Sequence, residues 1–235
     1  ENIGTIWIQE EKYIVIVIGL GRIIRYLLSL VEKLMIAIID YGMGNLLSVS
    51  KALDHLGIAH QVTDDPYDLE TAAGLILPGV GAFGDAMREL EAKGLVEPIR
   101  EQAKAGKPLL GICLGMQLFM DSSDESPDAH GLGLIAGNCR RFESDELKVP
   151  HMGWNTISKQ ADVPVLKNIP NGDYFYFVHS YYVCPDDKAC MGALTEYALP
   201  FTSILWSGNI MATQFHPEKS QSSGLKILKN FAQSR

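Results

Sequence analysis

Two short segments carry residue types that could do chemistry together. The first is Gly111-Ile112-Cys113-Leu114-Gly115. An apolar run enters it and a helical pattern leaves it, so it reads as a G-x-nucleophile-x-G elbow on a tight strand-to-helix turn. Glycines belong at its flanks because side chains there would clash as the turn closes. A helix opening after Cys113 turns backbone N–H groups toward the sulfur and favours the thiolate. An isolated cysteine is more often a small packing residue; the flanking glycines put the nucleophile reading beside that one. The second segment is His216-Pro217-Glu218. Pro217 biases His216 toward an extended conformation, in which residues i and i+2 share a side. Glu218 can then hold the imidazole in one tautomer. The pair of segments supplies a nucleophile (Cys113), a general base (His216) and an orienter (Glu218).

A thiolate attacking an acyl group needs an oxyanion hole. Leu114 N–H, directly after the nucleophile, is one candidate donor. The other lies in Pro78-Gly79-Val80-Gly81, where glycines let the backbone approach a substrate, so Val80 and Gly81 join Leu114 as expected hole residues. An ordinary turn is the plainer alternative for that loop.

These segments need elements to position them. Met35–Ile39, Ala59–Val62, Gly74–Leu77 and Leu109–Ile112 read as strands. Between them, helical spacing appears over Leu46–Leu56, Ala86–Ala92 and Leu95–Ala105, and Gly115–Met120 starts another helix. Alternating strands and helices predict βαβ units and a parallel sheet, with the catalytic loops at strand C-termini, where open α/β sheets bind ligands. Beyond about residue 132 the texture changes. Tyr174–Val178, Tyr181–Val183, Ala189–Glu196, Thr202–Trp206 and Ile210–Gln214 are short strand-like runs with turn signals between them. That half should be richer in antiparallel strands, closed by a helix over Ser222–Phe231. Ser122–His130 reads as a surface loop.

The 235 residues carry 28 acidic and 20 basic side chains, for a charge of −8. This acidic balance argues against non-specific nucleic-acid binding. Four cysteines without a C-x-x-C pair give no metal signature, and no organic cofactor motif is visible. With no export signal, they point to a reducing cytoplasm. Residues 1–34 differ from the rest: their charges cancel, so the whole −8 lies in 35–235. Their apolar run Tyr13–Gly21 is too short and too flanked by charge for a membrane helix, and it lacks signal-peptide features. Gly19-Leu20-Gly21 misses the third glycine of a dinucleotide loop, which would fall at Ile24. A strand over Ile14–Ile18 and a helix over Ile23–Leu34 fit the spacing. The stretch is expected to be an extension upstream of a true start at Met35, leaving one domain over 35–235.

Gly111-Ile112-Cys113-Leu114-Gly115-Met116-Gln117 with His216-Pro217-Glu218 resembles the class I (triad) glutamine amidotransferases. Within them, four further segments resemble the glutaminase (HisH-type) subunits of imidazole glycerol phosphate synthase. These are Ile38–Leu46, Pro78–Phe83, Val149-Pro150-His151-Met152-Gly153-Trp154-Asn155 and Tyr176-Phe177-Val178-His179-Ser180-Tyr181. The resemblance spans Met35–Arg235. It implies that Cys113 forms a γ-glutamyl thioester from L-glutamine while His216, oriented by Glu218, shuttles protons. It places Gly81, Gln117, Ser180 and Tyr181 around the glutamine. It also implies a heterodimer with a TIM-barrel cyclase that receives the ammonia and makes imidazole glycerol phosphate and aminoimidazole carboxamide ribotide in histidine biosynthesis. Asn45, Lys148, His151, Met152 and Trp154 match segments that line that partner interface. A glutaminase nearly silent without its liganded partner, through a misoriented Gly79–Gly81 loop, is implied too. The residues themselves leave open a glutaminase of another amidotransferase pathway, a stand-alone cysteine γ-glutamyl hydrolase or peptidase, and a non-catalytic module.

Overall fold

The computed structural model describes residues 35–234. The strand and helix expected within residues 1–34 lie outside them. The fully buried Ile36–Ile39 (β1) leads through a glycine turn into Leu46–His55 (α1). His60–Thr63 (β2), Pro66–Thr71 (α2), Gly74–Gly79 (β3), Phe83–Ala92 (α3), Val96–Lys104 (α4) and Leu109–Cys113 (β4) follow. Strands β2, β1, β3 and β4 are neighbours in that order, all parallel. The one-turn helix Leu114–Gln117 (α5) starts directly after Cys113. It stops short of the expected Met120 because Leu118, Phe119 and Met120 give their carbonyls to Leu132, Leu134 and Gly133.

The second half contains Ser122–Ser123 (β5), Gly137–Arg141 (β6), His151–Thr156 (β7), Ser158–Lys159 (β8), Tyr174–His179 (β9) and Tyr181–Pro185 (β10). Met191–Tyr197 (β11), Leu199–Ser207 (β12), Ile210–Thr213 (β13) and the closing helix Gln221–Gln233 (α6) complete it. β13 lies parallel beside β4, and β12, β10 and β6 continue the same sheet antiparallel. β7 and β9 form a separate antiparallel ribbon. The fold is thus mixed α/β, with a mostly parallel half and an antiparallel C-terminal half, as the alternating texture predicts.

Alternation along β1 builds two cores. Ala37 and Ile39 face one side with α3 and α4; Ile36 and Ile38 face the other with α1, α6 and Phe175 and Phe177 of the ribbon. The Ser122–His130 segment does more than cover the surface. Glu125 accepts from Phe83 N at 2.7 Å and Ser126 from Gly84 N at 3.1 Å. Ala82 has no capping side chain for α3, so this distant segment supplies the cap.

Candidate active site

The elbow depends on close approach. Cys113 sits at φ 55°, ψ −109°, a region that β-carbon-bearing residues rarely occupy. A Cβ on Gly115 would lie 1.9 Å from Leu77 O, and one on Gly111 would lie 2.8 Å from Gly115 O. Bare glycines therefore let α5 pack on β3 while the turn presents the sulfur.

The register of β13 on β4 brings in the second segment. Thr213 pairs with Ile112, so the chain beyond β13 leaves the sheet beside Cys113. His216 N–H is tied to Tyr176 O at 3.0 Å, and its backbone is extended. His216 Nδ1 lies 2.8 Å from Glu218 Oε1, and both side chains are almost fully buried. Nε2 is buried and lies beyond hydrogen-bond distance of any partner among the described residues, although His216 and Cys113 line one cavity. Burial works to lower the His216 pKa; interaction with Cys113 and with Glu218 outweighs it and raises the value to about 10.

A cavity of about 380 Å³ collects Val80, Gly81, Cys113, Leu114, Gln117, Ser180, Tyr181 and His216. Glu125, Pro150, Val178 and His179 also line it; no local pattern of residues points to Glu125 there. Val80 N–H donates to Met43 O at 3.4 Å, so in this conformation it is engaged and not open to a substrate oxygen. Gly81 has φ +97°, and a Cβ there would meet Met43 Cε at 2.7 Å.

The residues matched to a partner interface divide. Met152 and Trp154 are 63% and 46% exposed and share one face of β7. Lys148 is exposed, and its carbonyl accepts from the Tyr197 hydroxyl. Asn45 is half-buried rather than exposed; its side chain caps α1 by accepting from Ser48 N at 3.4 Å. His151 departs from the expectation. The alternation of β7 turns it inward, where it is buried against Phe177, Tyr197 and His179. His60 lies half-buried between Ser50 Oγ and Ile58 O.

His151 and His179 have a measurable consequence. Burial lowers His151 to about 4 and His179 to about 3. In the unfolded chain both return to about 6.5, so below that pH the unfolded state binds more protons. Their contribution is full above pH 6.5 and is lost as pH falls toward the folded values. Unfolding free energy should fall as pH drops through that window, by on the order of 1 kcal/mol per pH unit for the hydrogen-bonded pair. Urea titrations between pH 7 and 4 read the slope, and a flat profile would contradict it.

The fold and the elbow define an α/β protein with a cysteine at the end of a central strand, lining a cavity, and sequence comparison specifies its class. Residues 37–234 match the family described as Glutamine amidotransferase class-I. The chain is 53% identical over 198 residues to "Imidazole glycerol phosphate synthase subunit HisH" of Moorella thermoacetica, covering 84% of this chain and 94% of that one. It is 52% identical to the protein of the same name from Methanosarcina acetivorans, covering 84% and 98%. Among solved structures, one titled "Crystal structure of glutamine amidotransferase" superposes with a TM-score of 0.67 at 18% identity, covering 84% of this chain and 97% of that one. "Structure of PurLQS from Thermotoga maritima" superposes at 0.65, also at 18% identity, covering 85% and 98%. The chain belongs to the class I glutamine amidotransferase family, and within it to the HisH type, enzymes of histidine biosynthesis. Among the described residues no helix is long and apolar enough to cross a membrane.

Proposed function

We propose that this chain hydrolyses glutamine through a Cys113–His216–Glu218 triad and delivers the ammonia to a TIM-barrel cyclase subunit in a cytoplasmic heterodimer. The carrying observation is the convergence of Cys113, His216 and the Val80–Gly81 loop on one cavity. The Cys113 thiolate attacks the side-chain carbonyl carbon of glutamine, and the electron pair of the C=O moves to oxygen. Leu114 N–H and, once released from Met43 O, Val80 N–H stabilise that oxyanion. Collapse breaks the C–N bond; His216 Nε2 gives its proton to the leaving nitrogen, which departs as ammonia. The thioester remains. His216 then takes a proton from water, hydroxide attacks the thioester, and glutamate leaves as the thiolate re-forms. Glu218 keeps Nδ1–H in place, so that Nε2 does both transfers. Gly81, Gln117, Ser180 and Tyr181 hold the glutamine.

Met152 and Trp154 fit a docking face for the cyclase, with Lys148 and Asn45 beside it in role. Large apolar side chains left on one strand face suit burial against another chain. The amidotransferase domain is assigned to 35–235, with residues 1–34 as an extension. The test is copurification with the cyclase subunit, then glutamine-dependent formation of imidazole glycerol phosphate. Activity is expected with both subunits, and equally for the chain shortened to start at Met35. Full glutaminase activity of the lone chain, unchanged by the cyclase, would favour the stand-alone hydrolase instead.

A further inference from the structure

A chain of hydrogen bonds runs from β7 to the nucleophile, and its direction is fixed at each link. His179 Nδ1 lies 2.8 Å from Tyr181 O; a carbonyl only accepts, so this nitrogen carries the hydrogen. In the neutral ring Nε2 is then a bare acceptor. It lies 3.0 Å from His151 Nδ1, which must donate. His151 Nε2 accepts in turn from Asn155 Nδ2 at 3.3 Å, while Asn155 Nδ2 also donates to Glu196 O at 2.9 Å. On the other side, Tyr181 O accepts from Gln117 Nε2 at 3.1 Å as well. The second hydrogen of Gln117 goes to Gln214 Oε1 at 3.2 Å, and Gln214 Nε2 faces Cys113 Sγ at 3.8 Å. A single proton arrangement satisfies the whole chain. Gln117, Gln214, His151 and His179 are all buried, so each broken link would strand a polar group away from water.

Packing alone does not call for this polarity. Gln214 follows Thr213, the partner of Ile112, and so stands at the level of Cys113 with its amide hydrogens toward the sulfur. Donation of that kind favours a negatively charged sulfur. Gln117 has both amide hydrogens engaged, which leaves Oε1 as the group it can offer an ammonium or amide donor of the substrate.

We propose that Gln214 and His179 are positioning residues: Gln214 holds the Cys113 sulfur through its amide, and His179 holds the Tyr181 segment that lines the glutamine cavity, the two joined through Gln117. This rests on the reading of Cys113 as the nucleophile. The test uses the full chain with the cyclase subunit. Gln214→Met keeps the volume and removes the donor. His179→Phe stays among Phe142, Phe177 and Phe201 and removes the polar links. For Gln214→Met, kcat should fall at least about tenfold, more than any rise in KM passed on through Gln117, and iodoacetamide should alkylate Cys113 more slowly at pH 7 by peptide mass. For His179→Phe, KM for glutamine should rise at least about fivefold with Cys113 alkylation unchanged. If Gln214→Met does not fold, Gln214→Ala, which also lacks the donor and adds no charge, carries the same expectation. Folded variants matching the parent in kcat, KM and alkylation would overturn the proposal. So would equal losses in all three for both variants, the mark of a purely structural role. Activity surviving in Cys113→Ala would instead remove the nucleophile reading itself.

Discussion

Cys113→Ala should abolish glutamine hydrolysis, by about 10⁴-fold or more, while leaving the fold in place. The sulfur is the only atom removed, and the elbow it leaves is held by other contacts. Cys113 is buried at the end of β4, where its backbone pairs with Gly79 of β3. Alanine has the same Cβ, so the strain at φ 55° is unchanged. Stability should therefore stay within about 1 kcal/mol, read by urea unfolding. His216→Ala should cost nearly as much activity, and the double variant little more than either alone, because the residues act as a unit. Ammonia release in the coupled assay measures both. Substantial activity in Cys113→Ala would point to a different nucleophile.

Gly115→Ala should lower stability strongly. The new Cβ would lie 1.9 Å from Leu77 O and 2.9 Å from Leu77 C. Those are backbone atoms of β3, inside the parallel sheet, and cannot swing aside as a side chain would. Either α5 lifts from the sheet or the strand bends, costing about 3 kcal/mol or more. For a domain of this size that is a drop in Tm of roughly 6–12 °C. Activity should fall with it, since Leu114 and Gln117 ride on the same turn. Gly57→Ala is the matched control: Gly57 has φ +65°, but nothing lies within 4 Å of its added Cβ. Only the left-handed backbone is strained there, at about 1 kcal/mol. Equal melting of Gly115→Ala and Gly57→Ala would show that the close approach does not decide stability.

Much of the first half was legible because its signals are local. Apolar runs ending in glycine turns located β1, β3 and β4 within a residue or two. The second half was harder. β6 and β7 went unread, since Gly137–Arg141 and His151–Thr156 mix polar, charged and aromatic residues and acquire their strand character from partners far away in sequence. α2 is a short helix with Pro66 at its start and only Leu69 buried, too small for periodicity to register.

The site divides along the same line. Residue type and spacing determined the elbow at Cys113 and the His216–Glu218 pairing. Both are properties of a few adjacent residues, governed by glycine sterics and proline's restriction of the backbone. The antiparallel texture of the C-terminal half was likewise written in its short runs and turns. Tertiary structure alone decided that β13 lies parallel beside β4, which places Gln214 and His216 next to a cysteine about a hundred residues earlier. It also turned His151 inward, capped α3 with Glu125, and held Val80 N–H on Met43 O. Each of these depends on which strand neighbours which and on the register between them. Such pairings are set by burial summed over both faces of the sheet, and no local window of sequence contains that sum.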